Sequence, residues 1–130
     1  MIVVDASALA VALVDDAGPG DRARQRLRGE RLVAPELVDL EVASVLRRLV
    51  GHSGLPARRA ELALQDLATM PLDRASHLPL LPRCWELRDN ITVYDAAYVA
   101  LAEVLASALV TADARLAHAP WPRCPIEQLR

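Results

Sequence analysis

Two short apolar runs that lead into acids constrain this chain more than any other feature. Ile2-Val3-Val4 closes on Asp5, and Ala108-Leu109-Val110 is followed three residues later by Asp113. Runs apolar on both faces suit strands of a parallel sheet covered by helices. Each acid then stands at a strand's carboxyl end, where open α/β sheets collect ligands. Two further acids, Glu41 and Asp95, lie within apolar helical patterns. Burying unpaired carboxylates is costly, and few arginines adjoin these four in sequence. A divalent cation such as Mg²⁺, which takes carboxylate oxygen and keeps part of its water, resolves that conflict.

The 130 residues fit a single domain, expected over 1–130, that buries about two-thirds of its unfolded surface. A hydrophobic fraction of 53% and a formal net charge of −2 exclude both a disordered tail and a strongly basic nucleic-acid clamp. Bulk charge therefore names no partner. No charged n-region precedes a signal-like stretch, and no apolar run reaches the roughly 20 residues that cross a bilayer, so the expectation is a cytoplasmic protein with no membrane partner. Cys84 and Cys124 have no CxxC spacing, which reads as two reduced thiols rather than a zinc site. All 15 basic residues are arginine, a side chain suited to bidentate phosphate contacts.

Along the chain, Ile2 to Asp5 reads as a central strand and Ala6 to Val14 as a helix. Ala17-Gly18-Pro19-Gly20 breaks the pattern; Asp21 then caps a helix to about Arg28, which Gly29 ends. Arg31 to Ala34 reads as a strand stopped by Pro35, Leu37 to Val50 as a helix ended by Gly51, and Pro56 to Met70 as another helix. Pro71-Leu72-Asp73 reads as a minor strand. A helix ends near Leu87, Thr92 caps one that runs to about Leu105, Ala108 to Thr111 supplies a strand, and Pro125 to Leu129 an edge strand. This alternation predicts an α/β fold with a parallel sheet between helices.

Each acid also has an ordinary structural role open to it. Asp5 suits a turn after a strand, Asp113 a cap for Ala114 to Ala117, and Asp95 a helix N-terminal acid facing the macrodipole. Asp95 shares its face with Tyr98, Val99 and Ala102, so that face is expected to be buried. Periodicity does not choose between Asp39 and Glu41: Asp39 projects within the apolar arc but lies in the first turn, and Glu41 falls at the arc's edge. Taken jointly, two strand-end acids and two helix-borne acids favour one metal site over four unrelated placements.

The residues also resemble a family. Ile2-Val3-Val4-Asp5-Ala6-Ser7-Ala8-Leu9 is followed by Pro35-Glu36-Leu37, Leu40-Glu41-Val42 and Leu46-Arg47-Arg48. Then come Tyr94-Asp95-Ala96-Ala97-Tyr98-Val99-Ala100-Leu101-Ala102 and Leu109-Val110-Thr111-Ala112-Asp113-Ala114-Arg115-Leu116. In this order they look like a PIN-domain ribonuclease, specifically a VapC-like toxin of a toxin–antitoxin pair. The likeness covers nearly the whole chain and is weakest over about 51–90. It implies a three-layer α/β/α fold with a central parallel sheet, and an endoribonuclease that hydrolyses RNA with Mg²⁺ or Mn²⁺. By the same likeness Asp5, Glu41, Asp95 and Asp113 are the catalytic and metal-holding acids, which selects Glu41 over Asp39. Ser7 and Thr111 match supporting hydroxyls. The implied partners are RNA, a cognate VapB-like antitoxin and a second copy in a homodimer.

For the substrate, Arg22, Arg24, Arg26, Arg28 and Arg31 form the densest basic segment, followed by Arg47-Arg48 and Arg58-Arg59. Most are expected to be solvated or paired. Trp85, Trp121, Tyr94 and Tyr98 are the aromatics available for base stacking, with Tyr98 expected in the core. His52, His77 and His118 lack metal-ligand spacing. Two other classes compete. One is a PIN-like binding module without activity; the other is a haloacid dehalogenase-type phosphatase, whose second Asp is here Ser7.

Overall fold

The computed structural model describes residues 1–130. Its sheet has five parallel strands in the order β3-β2-β1-β4-β5: β1 Ile2–Val4, β2 Leu32–Pro35, β3 Leu72–Ala75, β4 Leu109–Thr111 and β5 Ile126–Gln128. β1, β2 and β4 are wholly buried, as continuous apolar runs require. The helices α1 (Ala6–Val14), α2 (Gly18–Leu27), α3 (Val38–His52) and α4 (Ala57–Thr69) connect β1 to β2 to β3 and pack on one another. A 3₁₀ turn at Leu78–Leu80, α5 (Leu81–Glu86) and α6 (Val93–Val104) lead back to β4, and α7 (Ala114–Ala117) leads to β5. The connections β1→β2→β3 run one way across the sheet and β3→β4→β5 the other, so right-handed crossovers place the two helix groups on opposite faces. The result is the three-layer α/β/α arrangement around one apolar cluster of 30 buried residues.

The direction in which successive strands are laid down reverses between β1 and β4, so a crevice opens at their carboxyl ends. α6 closes that crevice from one side. Thr92 caps it, its Oγ1 accepting the Asp95 amide at 3.1 Å, and the helix packs on β1, β2 and β4. Ala96, Ala97, Ala100 and Ala102 are buried along it, so a helix with little side-chain bulk lies close to the sheet.

Several boundaries differ from the sequence expectations: β3 runs on to Ala75 rather than ending at Asp73, β5 is shorter at both ends, and three others have local causes. α2 begins at Gly18 rather than at Asp21. Pro19 fits a first helical turn, where its missing N–H has no intrahelical partner to lose. Gly51 does not end α3, which runs on to His52; the stop comes at Ser53, followed by Gly54 in the left-handed region at φ 72. Pro35 is the last residue of β2 rather than the residue beyond it. Both cysteines are free thiols, Cys84 buried and Cys124 half-buried. No helix is long and apolar enough to cross a membrane.

Gly20 explains why α2 starts where it does. A Cβ there would stand 1.8 Å from the Asp15 carbonyl oxygen, so the helix crosses the end of α1 where only a hydrogen fits. Gly20→Ala is therefore expected to destabilise the chain by more than about 2 kcal/mol, through displacement of backbone against backbone. Urea unfolding measures this; a loss below about 0.5 kcal/mol would mean that the α1–α2 corner yields freely.

Candidate functional site

Asp5 occupies the first turn after β1 and is 5% exposed. Its Oδ1 accepts the Ser7 hydroxyl at 2.7 Å and the Ala8 amide at 3.0 Å, and its Oδ2 accepts the Thr111 hydroxyl at 2.5 Å. Each hydroxyl has a single proton, and both go to Asp5. The oxygens of Ser7 and Thr111 in turn accept the amides of Ala112 at 2.9 Å and Asp113 at 3.0 Å. One carboxylate thus binds the start of α1 to the end of β4. No buried side-chain polar atom is left without a partner.

The other three acids line the same pocket, a cavity of about 190 Å³ that also meets Ser7, Arg48 and Tyr98. Glu41 reaches it from the first turn of α3, Asp95 from the first turn of α6, and Asp113 from the turn before α7. Asp5 and Asp113 line this pocket and also fill the structural roles open to them. Asp5 caps α1, and Asp113 Oδ1 accepts the Arg115 amide at 2.9 Å to cap α7. Asp39 lies elsewhere, both of its oxygens held at 2.8 Å by Arg74 of β3.

Sequence reasoning missed one partner. Tyr98 is 1% exposed, as its apolar helix face requires, yet its hydroxyl donates to Glu41 Oε1 at 2.6 Å. The signal available was spacing: Tyr98 lies three residues after Asp95, on the face that carries that acid.

Burial raises the carboxyl of Asp5 above its ordinary value despite the Thr111, Ala8 and Ser7 bonds. Burial also raises Glu41, with Asp95 and Asp5 adding repulsion, and Asp95, with Asp113 adding repulsion. The Tyr98 hydroxyl is pushed far up by burial and by Glu41, so it stays a donor. The pocket therefore concentrates negative charge, and Asp5, Glu41 and Asp95 have no ion-pair partner; Asp113 has only exposed Arg115, at 3.7 Å. The acids do not close into a cage: no three Asp, Glu, His or Cys side chains form a ready-made metal centre.

The arginines are mostly committed elsewhere. Arg24 pairs with Asp21, Arg26 with Glu127 and Glu30, Arg31 with Asp73, and Arg59 with Asp16. Arg58 pairs with Glu61, Arg74 with Asp39, and Arg83 with Glu103 and Glu86. Arg22 donates to the Arg130 carbonyl. The basic segment at 22–31 is thus largely tied up in pairs, as expected. Arg88 lies over the Trp85 ring at 4.4 Å and donates to the Trp85 carbonyl. Trp85, Tyr94 and Trp121 are exposed, Tyr98 is not. Trp85 and Tyr94 line an apolar groove of about 490 Å³ with Leu81 and Val93.

This geometry has relatives. The PIN domain family model matches residues 2–122. A VapC ribonuclease of Mycobacterium bovis and ribonuclease VapC9 of Mycobacterium tuberculosis are each 48% identical over 126 residues, 97% of this chain and 96% of theirs. Ribonuclease VapC1 of Mycobacterium tuberculosis is 40% identical, with 98% and 97% covered. Among solved structures, the fold is shared with Mycobacterium tuberculosis VapC20, described as a sarcin-ricin loop cleaving toxin. The TM-score is 0.70 at 18% identity, over 89% of this chain and 92% of that one. A protein of Pyrobaculum aerophilum gives 0.67 at 24% identity, over 97% and 82%. The chain belongs to the PIN-domain family and, within it, to the VapC ribonucleases.

Raised carboxyl pKa values have a definite sign in stability. The native chain binds these protons more tightly than the unfolded chain does, so the penalty is full at neutral pH and fades as pH falls through the folded pKa values. Glu127, held low by Arg26, and Glu30, held low by the N-terminus, work in the opposite sense. Their contribution is lost only as pH falls below their ordinary 4.5. In chelator, thermal unfolding is therefore expected to show Tm rising as pH is lowered from neutral toward the ordinary carboxylate range, before the Glu127 and Glu30 contributions are lost. A flat profile would mean that the pocket acids ionise as freely as in water.

Tyr98→Phe keeps the buried ring and removes one donor. It is expected to cost about 1 kcal/mol at neutral pH, discounted because half-buried Glu41 regains water. Urea unfolding at neutral pH checks this, and an unchanged midpoint would show that the 2.6 Å bond contributes nothing.

Proposed function

We propose that this chain is the RNA-cleaving toxin of a toxin–antitoxin pair, hydrolysing phosphodiester bonds with Mg²⁺ or Mn²⁺ held by Asp5, Glu41, Asp95 and Asp113. The observation that supports this reading is a single pocket, at the carboxyl edge of a parallel sheet, where four elements deliver four carboxylates and the one cation that pairs with any of them is exposed Arg115, 3.7 Å from Asp113.

The donor set fits such an ion. Mg²⁺ dehydrates reluctantly, takes one or two carboxylates directly and keeps several waters, so it suits an open pocket better than a closed protein cage. When bound, it stabilises charge on the phosphate oxygens and lowers the pKa of water. The side chains do the rest. Asp5 is fixed by three donors and cannot swing away. Tyr98 anchors Glu41 through Oε1, and Oε2 has no protein partner. Ser7 and Thr111 spend their protons on Asp5 and so orient it rather than attack. Glu41 and Asp95, with raised pKa values, are the acids suited to take a proton from the attacking water. A VapB-like antitoxin and a second copy of the chain are the partners that accompany this reading.

Cleavage of single-stranded RNA by purified protein is expected to stop in EDTA and return with Mg²⁺ or Mn²⁺. Asp95→Asn, nearly isosteric, is expected to lower cleavage at least about 100-fold. In chelator its stability should be equal to the parent's or up to about 1 kcal/mol higher, because like-charge repulsion is relieved. Undiminished cleavage in excess EDTA would refute the metal mechanism. Retained cleavage by Asp95→Asn with a large loss of stability would make Asp95 a structural acid.

A further inference from the structure

An acidic pocket repels the polyanion it is meant to cut, so phosphates on either side of the scissile bond need cations the fold has not already used. Six arginine side chains make no hydrogen bond: Arg28, Arg47, Arg48, Arg115, Arg123 and Arg130. Two of them line the cavities that the acids line. Arg48 stands on α3 seven residues after Glu41, two helical turns along the same face, and borders the acid pocket with Ser44 and Val45. Arg115 borders a second cavity, of about 390 Å³, whose wall includes Asp95 and Asp113. Those two acids belong to both cavities, so the pockets adjoin and the acids lie between the two arginines.

Neither guanidinium is spent. Arg115 is 93% exposed, and its approach to Asp113 is a loose 3.7 Å, while its backbone is fixed because Asp113 accepts its amide. Arg48 is exposed with no carboxylate within 4.0 Å. Meeting a phosphate costs Arg48 no existing pair and costs Arg115 only its loose contact with Asp113, unlike the bidentate pairs of Arg26 and Arg74. Arg88 also borders the second cavity but is held over Trp85.

We propose that Arg48 and Arg115 form a two-ended phosphate clamp, each gripping a backbone phosphate of a single RNA strand so that the phosphodiester between them crosses the four acids. This rests on the RNA-cleaving reading above and specifies how that substrate is held. A planar guanidinium takes a phosphate bidentately, which fixes register without reading bases.

The test is binding of a fluorescent single-stranded RNA in the Asp95→Asn background across a series of salt concentrations. Each phosphate contact contributes about 0.7 to the slope of log K against log salt on a single strand. Arg48→Ala and Arg115→Ala are each expected to weaken binding and reduce the slope by about 0.7, and the double variant by about 1.4. Arg47→Ala, also exposed and next in sequence but outside both cavities, should leave the slope unchanged. Slopes for Arg48→Ala and Arg115→Ala that match Arg47→Ala, with the parent still binding RNA, would overturn the clamp alone. A parent that binds no RNA at any salt concentration would overturn the ribonuclease reading and the clamp with it.

Discussion

Asp5 is the constraint on which the rest depends. A carboxylate that is 5% exposed carries a desolvation penalty of several kcal/mol, and it is tolerated because donors from α1 and β4 converge on it. A hydrogen bond to a charged group contributes about 1.5–3 kcal/mol, so three of them offset most of that penalty while fixing where α1 begins and how β4 lies beside β1. The hydroxyls of Ser7 and Thr111 then receive the amides of Ala112 and Asp113, which positions the turn carrying Asp113. Strand register, helix cap and pocket wall are consequences of one side chain's need for donors.

Beyond Asp5, charge is sorted. Arg26 ties α2 to β5 through Glu127, and Arg83 ties α5 to α6 through Glu103. Partly exposed pairs of this kind each contribute about 1 kcal/mol or less, but they neutralise many of the surface carboxylates and leave Asp5, Glu41 and Asp95 of the crevice unpaired. The crevice acids stay mutually repulsive, and the apolar cluster beneath them supplies the stability that holds them together. A site that stores repulsion in this way has its free energy lowered when a cation enters, which links folding to ion binding.

What the sequence made legible was local. The strand at Ile2–Val4 and the helix at Val93–Val104 follow from apolar runs, 3.6-residue spacing and the Thr92 cap, all within a few residues. What escaped was tertiary. Gly18 to Gly20 resembles a loop until the Asp15 carbonyl is seen against Gly20. Asp39 and Glu41 share a helical turn, and they are told apart by Arg74, 35 residues away, which takes Asp39 and leaves Glu41 to Tyr98. Tyr98 itself reads correctly as core from its face; the direction of its hydroxyl is set by a helix 57 residues upstream, which no periodicity encodes.

α6 shows why core and site cannot be varied independently. Its buried alanines bring the helix axis close to β1, β2 and β4, and that closeness carries Asp95 to the strand ends and the Tyr98 hydroxyl to Glu41. Branched or longer residues at Ala96, Ala100 or Ala102 would fill space the close-packed interior does not have and lift the helix off the sheet. The shift needed is small, but a hydrogen bond of 2.6 Å and a shared pocket of about 190 Å³ tolerate little of it. The run Ala96-Ala97-Tyr98-Val99-Ala100-Leu101-Ala102 is therefore as much a part of the site's geometry as the acids themselves: small residues set the depth, one tyrosine sets the angle of Glu41, and Asp95 at the helix start takes its place from both.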